Sequence, residues 1–310
     1  MASRFLKYSV LLQKYRTPLL IASCGGIFAA NTFYHVFPDM SYRQLYQAWY
    51  KGEPVTLSDK LEGLFQQVLK DYSVTPSSNF SAFASFGFHP VSAGVPWLPA
   101  GAQIGIPANF NSTPDDHDGI TNRTIFINGK TVEWDSETGT ALKESLVLSL
   151  RAQKFAIARE VARSQSGAPI LSAAVAPFCL SGVWVYSVVL KQVFNLHAGP
   201  FLLRGVVNLV ALALGAVSYF LISDTVTQWS DYSSDRRAAG VSSDYAEGGI
   251  EFYDKILSRN KTLRTLMGQK GEEMYAPNGN LFPANIIQLK HTPYTSRRDG
   301  IITLMKKDKI

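Results

Sequence analysis

Arg159-Glu160-Val161-Ala162-Arg163 sets one acid between two bases that stand a helical turn apart. The spacing is that of H-E-x-x-H, in which two imidazoles grip zinc from one helix face and the glutamate acts as general base. Here both histidine positions hold arginine. A guanidinium has no lone pair to offer a metal and stays protonated. The stretch therefore cannot make a zinc-bound water, the nucleophile that such a motif supplies. An ordinary charged turn of a helix, facing water or lipid headgroups, would read the same way.

Other chemistry is sparse. The two cysteines, Cys24 and Cys179, both lie in apolar runs, and no C-x-x-C supports copper relay or thiol redox chemistry. No G-x-S-x-G is present. The histidines at 35, 89, 117, 197 and 291 have no ligand spacing to one another. Thr113 to Gly119, with Asp115, Asp116, His117 and Asp118, reads as a solvated loop that could also hold a cation. No cofactor, catalytic residue, metal site or small-molecule substrate is expected.

The elements that would position these residues begin with three uncharged runs. Pro18 to Phe37, Ala168 to Leu190 and Gly205 to Ser223 each carry no Asp, Glu, Lys or Arg. About 20 apolar helical residues cross a bilayer core of roughly 30 Å. We therefore expect an N-terminal span at 18–37 and a hairpin of spans at 168–190 and 205–223. The first run is rich in small and polar residues, Ser23, Cys24, Gly25, Gly26 and Asn31, as suits a helix packed on other helices. Residues 1–17 and the hairpin loop 191–204 hold Arg4, Lys7, Lys14, Arg16, Lys191 and Arg204 and no acid. The remainder holds 24 basic and 24 acidic residues, so the whole excess of +6 lies on one side of the membrane. The positive-inside rule puts that side in the matrix or cytoplasm. The basic, acid-free N-terminus, with Ser3 and Ser9, reads as a mitochondrial import signal merged with a span, or as the plain positive flank of one. Four N-x-S/T sequons, at Asn79, Asn111, Asn122 and Asn260, would be glycosylated in a secretory lumen and ignored in mitochondria.

Between and after the spans lies a soluble α+β part, 38–167 and 224–310. Ser41 can cap a short helix bearing Tyr42, Leu45, Tyr46 and Trp49, in an interfacial position after the first span. Ser58 can cap a second helix with the stripe Leu61, Leu64, Phe65, Val68 and Tyr72. Ala102 to Ile106 reads as a strand, and Asn128-Gly129 marks a hairpin between Thr124–Ile127 and Thr131–Trp134. A long helix is expected from Thr140 to Gln165, a polar stretch from Asp224 to Asp235, and helices at Tyr245–Arg259 and Lys261–Met267. The neutral soluble part and the short basic tail, where Asp308 interrupts Lys306, Lys307 and Lys309, give no support for nucleic-acid binding.

Several blocks, taken in order, resemble membrane zinc metalloproteases of the HtpX and prenyl-protease type. Ser92 to Ile106 resembles their N-A-F-A-x-P-G segment, and the hairpin follows Arg163 as it follows their zinc helix. Asp235-Arg236-Arg237-Ala238-Ala239 resembles E-x-x-A-D, and His291 to Arg298 resembles the closing H-P-P block. The resemblance implies a degenerate zincin-like domain in which the zinc-binding histidines are gone. Arg159, Glu160, Arg163 and Asp235 occupy the zinc-site positions, and Arg159 or Arg163 is expected to pair with Asp235 where metal once bridged two helices.

A second resemblance runs nearly end to end. It is carried by Tyr15-Arg-Thr17, Tyr34-His35, Phe88 to Gly94, Leu98 to Gly101, Ala152 to Phe155 and Ala158 to Val161. It continues through Leu196 to Pro200, Gly248-Gly249, Glu251 to Tyr253, Lys290-His291, Pro293 to Thr295 and Arg297 to Asp299. These strings resemble the transmembrane protein 177 family of the mitochondrial inner membrane. The resemblance implies a multi-pass, non-enzymatic factor for cytochrome c oxidase biogenesis, one that stabilises newly made subunit 2 and its membrane chaperone. Those proteins and membrane lipid are then the expected partners. The soluble part would lie in the intermembrane space. Candidate interaction residues are His197, Gly199 and Pro200 in the hairpin loop, and Gly248, Gly249 and Tyr253, although paired glycines also mark tight helix packing. The alternative is a membrane protease or quality-control factor of the zincin class with residual or altered activity.

Overall fold

The computed structural model describes residues 14–112, 118–121, 124–196, 200–283 and 292–308. In chain order the helices are α1 (Arg16–Val36), α2 (Tyr42–Tyr46), α3 (Asp59–Asp71), α4 (Asp118–Thr121), α5 (Glu137–Leu146), α6 (Leu150–Gln165), α7 (Ala168–Val193), α8 (Phe201–Ala239), α9 (Ser243–Met267), α10 (Gln269–Met274) and α11 (Tyr294–Asp308). The strands are β1 (Trp49–Tyr50), β2 (Glu53–Pro54), β3 (Phe80–Ser85), β4 (Val91–Gly94), β5 (Ala102–Pro107), β6 (Phe126–Ile127) and β7 (Lys130–Thr131). The chain divides into two units, Met1–Phe33 with Ile170–Thr225, and Tyr34–Pro169 with Val226–Ile310.

Three helices, α1, α7 and α8, are long and apolar enough to cross a membrane. Within the first unit small residues bring them close. A Cβ on Gly215 would stand 2.0 Å from Val183 Cγ2, so α7 and α8 approach where only glycine fits. Cys24 Sγ lies 3.4 Å from Ser181 Oγ, joining α1 to α7. Helix α8 does not stop at Ser223 as expected but continues through Asp224–Asp235 to Ala239. The physical reason is in the sequence: no glycine or proline intervenes between Gly215 and Gly240. Pro200 is exposed just before α8, while His197 and Gly199 lie outside the described residues.

In the second unit, four helices start on serine. Ser58, Ser136, Ser149 and Ser242 accept from the backbone N–H of Leu61, Gly139, Ala152 and Tyr245, filling donors that a helix start leaves open. Ser41 does not cap α2; its hydroxyl instead donates to the Phe37 carbonyl at 2.6 Å. The Ser149 cap also corrects the single helix expected over 140–165. The extended backbone of Val147 and Ser149 divides it into α5 and α6, and the Ser149 N–H and hydroxyl both donate to the Glu251 carboxylate. Conversely, the two helices expected at 245–259 and 261–267 are the single helix α9. Asn260 lies buried within it, donating to the Gly279 carbonyl at 2.8 Å.

The sheet is mixed, in the order β3-β5-β4, with β3 parallel and β4 antiparallel to the central β5. All six residues of β5 are buried. The Asn128-Gly129 hairpin forms as expected but is short: only Phe126–Ile127 and Lys130–Thr131 pair, and both turn residues take positive φ. The main core sets α3, through Leu61, Phe65 and Val68, against Ile104 and Ile106 of β5, Phe155 of α6 and Phe252 of α9. Glycines 248 and 249 let α9 lie directly on α6. A Cβ at 248 would meet the Arg151 carbonyl oxygen at 2.3 Å, and one at 249 would meet the Phe155 ring at 2.8 Å.

Candidate functional site

The polar centre of the second unit is assembled from five elements. Helix α6 contributes Arg159 and Glu160, α8 contributes Asp231 and Asp235, α9 Tyr253, α11 Arg297 and β4 Ser92. Each arrives by a local rule. Asp231 and Asp235 are four residues apart, so both point from one face of α8. Arg159 and Glu160 lie on the face of α6 that the sheet and α9 cover, where Glu160 is buried.

Asp235, 3% exposed, is the hub. Arg297 donates to it through Nε at 2.6 Å and Nη2 at 2.8 Å, a two-pronged contact that only guanidinium supplies. The Tyr253 hydroxyl donates to the same carboxylate at 2.6 Å. Arg159 Nε stands 3.1 Å from Asp235 Oδ1, an ion contact that lies off the line for a hydrogen bond. Arg159 also donates to Asp231 at 2.9 Å and to Glu160 at 2.6 Å, and Arg297 Nη1 is 3.4 Å from Asp231. Ser92 donates to the other oxygen of Glu160 at 2.5 Å.

The charges set one another. Burial alone would lower Arg159 and Arg297, but the carboxylates of Asp235 and Asp231, with Glu160 beside Arg159, hold both above the ordinary arginine value. Burial, reinforced by Asp235, pushes the Tyr253 hydroxyl well up, so it remains a donor. Neighbouring His89 is pushed well below its ordinary value by burial, then by Arg259, Arg159 and Arg297, and is neutral at pH 7. Arg259 is buried with no carboxylate within 4 Å among the described residues. It donates to Asn260 and lies over the Phe88 ring.

Of the residues singled out from sequence, Arg159, Glu160 and Asp235 meet here. Arg163 does not: it is half-buried and has no ion pair within 4 Å among the described residues. Gly248, Gly249 and Tyr253 are not a surface offered to a partner. The glycines are buried packing positions and Tyr253 is 1% exposed inside the network. Asp231, Ser92, His89 and the pairing of Arg297 with Asp235 escape the sequence reading. The four-residue step from Asp231 to Asp235 was the available signal.

The space directly beside the network is small. A cavity of about 230 Å³ beside Asp235 and Arg297 is smaller than the usual ligand cleft of roughly 300–1,000 Å³. An apolar cavity of about 560 Å³, lined by Phe86, Phe88, Ile125, Phe126 and Leu142 among others, has no ionisable group in its wall. Among the described residues no group of three or more His, Cys, Asp or Glu is set to hold a metal ion.

Comparison with known proteins bears on the whole chain. No solved structure matches it, and the likeness to membrane metalloproteases rests on the sequence blocks alone. A sequence profile of the family described as Transmembrane protein 177 matches residues 99–294. Transmembrane protein 177 of Danio rerio is 68% identical over 310 residues, covering all of both chains. That of Xenopus laevis is 56% identical, covering 96% of this chain and 95% of its own. That of Homo sapiens is 44% identical, covering 99% and 97%. With such identity across its length and three helices fit to span a bilayer, the chain is a membrane protein of the Transmembrane protein 177 family.

Proposed function

We propose that this chain is a non-enzymatic factor of the mitochondrial inner membrane that stabilises newly made cytochrome c oxidase subunit 2 and its membrane chaperone during assembly. The observation that carries the non-enzymatic part is the closure of the Asp235 network. A hydrolytic carboxylate must be free to ligate a metal or to take a proton from water. Both oxygens of Asp235 are already taken by Arg297, and Tyr253 and Arg159 crowd the first of them. The scaffold part draws support from the close approach of α7 and α8 at Gly215, the packing style of helices that associate laterally.

The charge bias that favours a matrix-side N-terminus and hairpin loop supports placing the second unit in the intermembrane space. Asn260 lends weight to a compartment without glycosylation, because its amide is buried and spent on the Gly279 carbonyl. The test is a crosslinking pull-down from solubilised inner membranes, paired with protease protection to fix topology. Subunit 2 and its chaperone should be recovered, with the second unit digested only once the outer membrane is opened. Recovery of no oxidase subunit would overturn the assembly role. Stoichiometric zinc with cleavage of unfolded casein by the purified protein would overturn the non-enzymatic one.

A further inference from the structure

The second unit leaves a cluster of large apolar side chains uncovered where the chain leaves the first span. Met40 is 77% exposed, Leu45 78%, Tyr50 68% and Phe86 76%, with Phe37 and Trp49 about half exposed beside them. These side chains are gathered by backbone pairing. The Phe86 N–H donates to the Tyr46 carbonyl at 2.7 Å and the Ala48 N–H to the Ala84 carbonyl at 2.9 Å, so the end of β3 is stitched to the segment that follows α2.

The same region is fastened to the end of α1. Tyr34–Val36, its last turn, belongs to the second unit. The Gly94 N–H donates to His35 Nδ1 at 3.2 Å, which pins that turn to β4. Tyr34 stacks on Tyr42, and Tyr42 on Tyr46, with centroids 6.4 and 4.4 Å apart. Leu45 thus lies nine residues past the end of a helix fit to span a bilayer. Basic side chains stand among the aromatics. Lys51 lies over the exposed Tyr50 ring, while Arg43, over the buried Phe83 ring, is held by Asp39 at 3.6 Å and donates to Gln47. Tyrosine, tryptophan and lysine or arginine beside an apolar surface are the composition of the bilayer interface, where rings sit at headgroup level and cations reach phosphate.

We propose that this surface is a membrane-seating platform. The tip of the β1–β2 hairpin, Leu45, Met40 and Phe86 dip into the headgroup layer, while Lys51 meets lipid phosphates. Its occupant is the lipid surface, because the patch continues the bilayer contact of α1 without a break in the chain. The inference is independent of which protein the factor stabilises.

The test uses the full-length protein with Cys24→Ser and Cys179→Ala, reconstituted into vesicles of phosphatidylcholine and phosphatidylglycerol. A fluorophore is placed singly by Leu45→Cys, Tyr50→Cys or Phe86→Cys, with Lys270→Cys as the control on exposed α10. Labels at 45, 50 and 86 should lose fluorescence when the vesicle lipids carry brominated acyl chains and should be shielded from aqueous iodide. The label at 270 should behave oppositely. Quenching by iodide at 45 and 86 as strong as at 270 would overturn the proposal. So would shielding from both quenchers, which would mean that a second copy of the chain covers the patch.

Discussion

Replacing Asp235 by alanine removes the carboxylate that takes three hydrogen bonds, from Arg297 Nε, Arg297 Nη2 and the Tyr253 hydroxyl. It leaves a guanidinium 5% exposed whose one remaining carboxylate is Asp231 at 3.4 Å, with the Tyr253 ring 5.0 Å away. Breaking a buried pair by removing one partner costs about 3–5 kcal/mol, mostly because the stranded charge stays desolvated. Asp231 still holds Arg159, and Glu160 helps it, so the loss falls in the lower half of that range. In a unit of this size each kcal/mol moves the midpoint by about 2–4 °C, which puts the expected fall in apparent Tm at roughly 10 °C in detergent. The decisive arm is the double variant Asp235→Leu with Arg297→Leu. Removing both charges removes the desolvation problem, and buried pairs exchanged for apolar residues are often neutral. The double variant should therefore melt above Asp235→Ala, with a coupling of about 2 kcal/mol in the cycle completed by the two single leucine variants. Additive losses, or a shift under about 2 °C for Asp235→Ala, would refute the hub.

Four further outcomes follow from particular residues. Gly248→Ala places a methyl 2.3 Å from the Arg151 carbonyl oxygen and should lower Tm by several degrees, since overpacking costs about 1–3 kcal/mol. Gly63→Ala, on an exposed turn of α3 with nothing within 4 Å, should instead stabilise by about 1 kcal/mol, read in the same melts. His89 takes a proton less readily folded than unfolded, so the unfolded chain gains protons first as pH falls. Below pH ~6.5 stability should therefore drop by up to about 1.4 kcal/mol per pH unit. Tm measured between pH 7.5 and 5.5 should fall more steeply in the wild type than in His89→Gln, and parallel curves would refute this. Gly129→Val forces a branched side chain to φ +75° and should cost about 1–2 kcal/mol in the same melting assay.

Features whose physics is local were legible in the residues alone. Three uncharged runs marked the helices fit for a bilayer because hydropathy needs no tertiary context. Ser58 announced the start of α3, and Asn128-Gly129 announced a turn, because capping and positive φ are decided within a few residues. Arginine at 159 and 163 excluded a zinc grip at this stretch, since a guanidinium cannot ligate metal anywhere. What Arg159 does follows from elements far apart in the chain. Its partners come from α8, 72 and 76 residues on, and Arg297, which shares them, comes from α11. No periodicity encodes such meetings, because they follow from the way α6, α8, α9 and α11 pack. The same packing distinguished Arg159 from Arg163, which are indistinguishable in the motif. It also buried Gly248, Gly249 and Tyr253, which composition alone could not separate from a surface.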